Sequence, residues 1–180
     1  MSSKDKVQEV TLPERHYVGM ALTSPFAGHD PKRVEQLKKL FIARRFEIQG
    51  LADAESYVSP SFVSDQLFTY LFCMEVQALP AQTPEGMIGF TVPAQRYVTV
   101  QVDEGDPYDV LHAYIRDQKL ANHKRGLALE KYPVHDPRCE VAFFGSRLYS
   151  DLVVNASDSA RNKQKPVLPE GRTGFSARET

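Results

Sequence analysis

Tryptophan is absent from this 180-residue chain, and cysteine occurs only twice. Cys73 and Cys139 sit in apolar, strand-like stretches without a CxxC pair, which excludes a disulfide scaffold and points to reduced, buried thiols. No two of the five histidines (His16, His29, His112, His123 and His135) stand at the i, i+4 spacing that holds zinc on a helix, so no metal is expected. GxSxG, GxGxxG and GxxxxGK[ST] are all missing, and with them the common hydrolase and nucleotide signatures; no cofactor is expected. A formal charge of -1 and a pI near 6.5 provide no global basic field, which argues against nucleic acid as a direct partner. There is no apolar run long enough to span a bilayer. The start, MSSKDKVQEV, lacks the apolar core of a secretory signal, so the expected location is cytoplasmic with no membrane partner.

What the chain does contain is a repeat. TLPERHYVGM (11–20) and TVPAQRYVTV (91–100) align without a gap at an offset of 80 and share Thr, Pro, Tyr and Val. Downstream, HDPKRVEQLKKLF (29–41) and GDPYDVLHAYI (105–115) each contain Asp-Pro with Val three residues after the proline. Asp30 and Asp106 are natural N-caps, and Pro31 and Pro107 suit the first helical position, where a missing N–H is harmless. Both segments therefore predict helices, with Val34, Leu37, Leu40 and Phe41 on the apolar face of the first. The second buries Val110, Leu111, Tyr114 and Ile115 in the same way. Beyond each helix a Glu-x-Tyr, in ESYVS (55–59) and LEKYPV (129–134), opens a strand. A second strand follows each: LFTYLFCMEVQAL (67–79) and CEVAFFGSRL (139–148).

The unit reads strand, helix, strand, strand, twice. Joined through PAQTPEGMIG (80–89), two such units predict an α+β fold of tandem βαββ repeats (about 10–79 and 90–148) with pseudo-two-fold symmetry. An antiparallel sheet would be covered by two helices, with a groove between the halves. Residues 1–9 are polar and expected to be loose, the domain spans 10–154, and residues 155–180 read as an extended C-terminal tail.

From about Val10 to Leu148 these pieces resemble the GyrI-like, or AraC-type effector-binding, domain family. The resemblance is carried by LPERHYVGM, YLFCMEV, the run PEGMIGFTVPAQRYVTVQVDEGDPYDVLHAYI, LEKY and CEVAF, in that order and spacing. It implies a groove between pseudo-symmetric halves that binds small, often aromatic or cationic molecules. In multidomain relatives the module is fused to a helix-turn-helix and senses inducers; no such segment is expected within this chain. The resemblance also implies pocket acids on the central strands. The family's Glu-Val-Glu-Ile on the final strand corresponds here to Glu140-Val141-Ala142-Phe143, so Ala142 stands where the second acid would be. Glu130 and Glu75 match other acidic positions of the family.

Alternation along 67–79 places Phe68, Tyr70, Phe72, Met74 and Val76 on one face and Thr69, Leu71, Cys73, Glu75 and Gln77 on the other. Glu75 is either a pocket acid that draws a cationic or hydrogen-bonding ligand, or a residue near a strand end that faces solvent or pairs with an Arg or Lys. If the mid-chain and final strands are equivalent, Glu75 and Ala142 are expected to be pseudo-symmetric partners. Glu130 shares a face with Tyr132. Tyr57, Tyr70, Tyr108 and Tyr132, together with Phe72 and Phe144, are either pocket walls or core residues. His112 falls on the surface of the second helix, and KLANHKRG (119–126) reads as its solvated, cationic end.

Three functions follow as expectations. The leading one is a standalone protein that binds a small aromatic or amphipathic molecule, cationic or neutral, as a sensor or by sequestration, without chemistry; its class would be multidrug binding related to transcription regulation. The second is a protein-interaction role of the gyrase-inhibitor type, with the tail engaging a protein partner or a second copy. The third is hydrolysis of strained electrophilic compounds with Glu75 or Glu130 as general base, against which Ala142 counts.

Overall fold

The computed structural model describes residues 7–101, 106–122, 127–135 and 141–147. In chain order the elements are β1 (Val7–Leu12), β2 (Arg15–Pro25), α1 (Pro31–Arg44), β3 (Ser56–Val63), β4 (Leu67–Val76) and β5 (Ile88–Val92). There follow β6 (Gln95–Val100), α2 (Pro107–Asp117), β7 (Ala121–Asn122), β8 (Ala128–Pro133) and β9 (Val141–Arg147). Both helices start as the cap chemistry requires. The Asp30 carboxylate accepts from the Lys32 N–H at 3.0 Å, that of Asp106 from the Tyr108 N–H at 2.8 Å, and proline follows each cap. No helix among the described residues is long and apolar enough to cross a membrane.

Every strand pairing is antiparallel, in the order β1-β6-β9-β8-β3-β4-β2-β5, with the short β7 beside the end of β9. Two corrections to the expected repeat follow. Each opening strand is broken at its proline into two arms, β1 and β2 at Pro13, β5 and β6 at Pro93, because proline cannot donate to a ladder and redirects the chain. The ordered sheet also begins at Val7, inside the segment expected to be loose, since Val7–Leu12 pairs with Val100–Gln95. The expected tail, 155–180, lies outside the described residues.

The arms exchange between halves: β1 pairs with β6 of the second repeat, and β5 with β2 of the first. This exchange dictates the shape. β1 and β2 are far apart in strand order, yet only Pro13 and Glu14 join them, and three Cα steps span at most about 11 Å. The sheet must therefore curl so that its two edges approach.

Inside the curl lie Tyr17, Val58, Leu71, Cys73, Val92, Tyr97 and Leu129, drawn from both repeats. Outside, α1 covers Val18, Met20, Tyr57, Phe72, Met74 and Val76 through Phe41, with Val34, Leu37 and Ile42 packed at the margin. On the same outer face α2 covers Val98 and Val100 through Leu111 and Ile115. β4 shows the expected alternation, Phe72, Met74 and Val76 outward, Leu71 and Cys73 inward. Leu40 departs from expectation: it is 49% exposed, because the buried arc of α1 runs through Phe41 toward Ile42.

Candidate functional site

The ladder registers locate the pseudo-two-fold axis. Tyr17 faces Glu75 across β2 and β4, and its repeat mate Tyr97 faces Gly145 across β6 and β9. Likewise Met20 faces Phe72, and Val100 faces Ala142. The mate of Glu75 is thus Gly145, and that of Phe72 is Ala142, which corrects the expected pairing of Glu75 with Ala142. Val58 faces Cys73 while Leu129 faces Phe143, so β3 and β8 match at an offset of 71, Val58 to Leu129 and Ser59 to Glu130. Ser59 and Glu130 are also direct cross-strand neighbours. The axis therefore passes between them, at the centre of the sheet, on the outer face between α1 and α2.

Around that point five of the expected site residues converge. The Tyr132 hydroxyl donates to Glu130 Oε2 at 2.6 Å, and the Tyr108 hydroxyl, from the first turn of α2, donates to Oε1. Tyr132 faces Tyr57 across β8 and β3, and their rings stack at 5.2 Å and 14°. Behind Tyr57, Phe41 and Phe72 close an aromatic cluster at 6.2 and 6.3 Å. Glu130, Tyr108 and Tyr132 are half-buried, whereas Tyr57, Phe72 and Ser59 are buried. A carboxylate has about four acceptor positions. Two are held by the tyrosines, which fix its orientation.

Sequence reasoning did not anticipate Ser59 or Lys38. The Lys38 ammonium, on α1, lies 5.8 Å from the Tyr132 ring centroid, so a cation already meets the π-face beside the acid. Its i, i+4 relation to Val34, which packs against the core under α1, was the available signal that Lys38 approaches the sheet. A surface depression of about 450 Å³ lies along α1, lined by Lys38, Ile42 and Phe46 among others.

The remaining expected residues lie elsewhere. Glu75 faces the inside of the curl, away from both helices, and pairs with Arg15 Nη1 at 2.7 Å. Of its two open alternatives, the ion pair is the one the geometry displays. Burial pushes the Tyr17 hydroxyl well above the ordinary tyrosine range, and the Glu75 charge adds to that. Burial also raises Tyr97, whose hydroxyl accepts from Gln95 Nε2. Tyr70 sits farther along the outer face of β4, in an edge contact with Phe68 at 5.4 Å. Phe144 stands opposite Val98 in the β6–β9 ladder, and Ala142 opposite Glu130 in the β8–β9 ladder. Glu140 lies outside the described residues, and His112 is exposed on α2. Among the described residues no group of three or more His, Cys, Asp or Glu could hold a metal ion.

No protein-family model and no curated protein matches the chain. Solved structures do. The C-terminal domain of EcmrR aligns with a TM-score of 0.60 at 14% identity, over 79% of this chain and 98% of that one. SAV2435 bound to tetraphenylphosphonium aligns with a TM-score of 0.58 at 12% identity, over 79% and 93%. An integron cassette protein, VCH_CASS2, from the mobile metagenome of Vibrio cholerae aligns at 0.51 and 14%, over 79% and 96%. At these identities the likeness concerns the fold, and the chain has the α+β fold of these GyrI-like structures.

Proposed function

We propose that this protein binds a small, aromatic, amphipathic molecule carrying a positive charge, in the groove between α1 and α2, with Glu130 as its anionic contact. The carrying observation is the half-open Glu130 carboxylate, oriented by two tyrosine hydroxyls and bordered by the stacked Tyr57 and Tyr132 rings. A carboxylate in such a place favours a cation, and a ring edge or face beside it adds roughly 0.5–2 kcal/mol per good cation–π contact. That a protein of the same fold has been solved with tetraphenylphosphonium, an aromatic cation, supports the same class of ligand here. Sensing or sequestration needs no further chemistry than this.

The test is calorimetric titration of tetraphenylphosphonium into the wild type, Glu130→Gln and Glu75→Gln. Loss of a charged contact of about 1.5–3 kcal/mol should weaken binding by Glu130→Gln roughly 10- to 150-fold. Glu75→Gln, on the other side of the sheet, should bind as the wild type does. Equal affinity of Glu130→Gln and wild type would sink the proposal, and a loss confined to Glu75→Gln would move the site inside the curl.

A further inference from the structure

The ring beside the Glu130 carboxylate already has a cation of its own. The Tyr132 hydroxyl donates to Glu130 Oε2 at 2.6 Å, while the Lys38 ammonium stands over the face of the same ring, 5.8 Å from its centroid. The acid and the ammonium thus border one side chain from different directions. They do not neutralise each other: among the described residues Lys38 forms no ion pair, with Glu130 or with another carboxylate. Lys38 is half-buried on α1, and a charge drawn partly out of water without a counter-charge is costly. A ligand with a positive charge alone would leave that cost in place and add repulsion between like charges.

The surface next to Lys38 has the same sign. Lys38, Lys39 and Arg45 line the depression of about 450 Å³ along α1, where Glu35 is the one acid and Ile42, Ala43 and Phe46 form the apolar part. Lys38, Lys39 and Ile42 follow at the spacing that places side chains on one side of a helix. Arg45 is pinned there, since its guanidinium covers the Phe46 ring at 4.1 Å and its Nη1 donates to the Ile42 carbonyl at 2.5 Å. A molecule laid from Glu130 across Tyr132 toward α1 therefore passes from a negative to a positive surface.

We infer that the ligand is a zwitterion: an aromatic cation that also carries a carboxylate, its positive charge on Glu130 and its negative one on Lys38, with Tyr132 between them. The inference rests on Glu130 as the anionic contact and narrows the class of molecule that binds there. Lys38 is the residue that selects among aromatic cations.

Rhodamine B and its ethyl ester test this, because at neutral pH both carry the same aromatic cation and only the acid carries a carboxylate. Binding of each is read by fluorescence anisotropy on the wild type, Lys38→Met and Glu130→Gln, and the readout is the ratio of the two affinities. Lys38→Met keeps the apolar stem and removes the charge. It should shift the ratio about five- to tenfold toward the ester, between the effects of an exposed ion pair and a charged hydrogen bond. Lys38→Gln should do the same, so the result does not hang on the folding of one variant. Glu130→Gln should weaken both dyes and leave the ratio unchanged. A ratio that neither Lys38 variant moves overturns the inference, and Glu130 remains the cation contact as long as Glu130→Gln still weakens both dyes. If Glu130→Gln weakens neither dye, or the wild type binds neither, the cation site falls and the zwitterion with it.

Discussion

Gly19→Ala tests how tightly the central strands are packed. Gly19 is paired on both sides, with Cys73 of β4 and Ile88 of β5. A Cβ at this position would lie 2.0 Å from the Phe72 carbonyl oxygen, 2.6 Å from the Cys73 Cα and 2.8 Å from the Cys73 Sγ. Two of these atoms are backbone of an inner strand clamped between β2 and β3, so relief requires the ladder to part by about 1 Å or more. Overpacking relieved by side chains costs roughly 1–3 kcal/mol; with backbone as the obstacle the expected cost is about 3 kcal/mol or greater. In urea unfolding followed by far-UV circular dichroism, that lowers the midpoint by about 1 M or more at unchanged slope. It corresponds to a fall in Tm of roughly 6–12 °C for a chain of this size. Gly28→Ala is the control: its φ of 76° strains any side chain, but nothing stands near the new Cβ, so only about 1 kcal/mol is expected. If Gly19→Ala unfolds within about 0.5 kcal/mol of the wild type, the close approach of β2 to β4 is wrong, and with it the register that locates the axis.

Asp53 should make stability depend on acid. Burial alone would push its carboxyl up, but hydrogen bonds from the Lys131 ammonium, the Ser56 hydroxyl and the Glu55 N–H bring it down to about 2, from an ordinary 3.8. The folded state therefore holds the proton less readily than the unfolded one. The stabilisation is complete above about pH 4 and disappears as pH falls toward 2, amounting to about 1–2 kcal/mol once solvent screening is allowed for. Asp53→Asn should flatten that part of the stability curve, and parallel curves for the two proteins would contradict the assignment. Arg15 and Glu75, partly buried inside the curl, should show a coupling of about 1 kcal/mol in a double-mutant cycle of Arg15→Gln and Glu75→Gln; strict additivity would mean the pair is not formed in solution.

Features written in local chemistry were legible from sequence. Asp30-Pro31 and Asp106-Pro107 announce their helices because the cap and the first turn are decided by adjacent residues. The two faces of β4 follow from a period of two, whatever its neighbours. Relations between strands were not legible, because the repeat offset drifts along the chain, from 80 at Tyr17 and Tyr97 to 71 at Ser59 and Glu130 and 70 at Phe72 and Ala142. Aligning the two Glu-x-Tyr motifs makes Glu55 the mate of Glu130, four residues from the true one, Ser59. An even error keeps the face right and the neighbour wrong. The expected pairing of Glu75 with Ala142 is instead an odd error, since Ala142 is the mate of Phe72, three residues from Glu75 and on the other face of β4; the expected set of Glu75, Glu130, Tyr57, Tyr70, Tyr108, Tyr132, Phe72 and Phe144 therefore mixes the two faces.

The site sits on a symmetry axis, yet its chemistry is one-sided. The ligand proposed between α1 and α2 would meet Glu130 from the second repeat, where the first offers Ser59. It would meet Tyr108 on α2, where the corresponding position of α1, counted from the two Asp-Pro caps, is Lys32. Lys38 adds a cation on the α1 side, above Tyr132. An axis with two acids would draw two charges or a symmetric dication. If the proposed ligand binds here, one acid held by two tyrosines on the α2 side and a lysine on the α1 side would orient a single positive charge toward α2 and leave the apolar body to Tyr57 and Tyr132. Divergence of the repeats at these few positions would turn a symmetric sheet into a directional site, and the β-strand frame tolerates it because Ser59 and Ala142 keep their places in the ladder whatever side chain they carry.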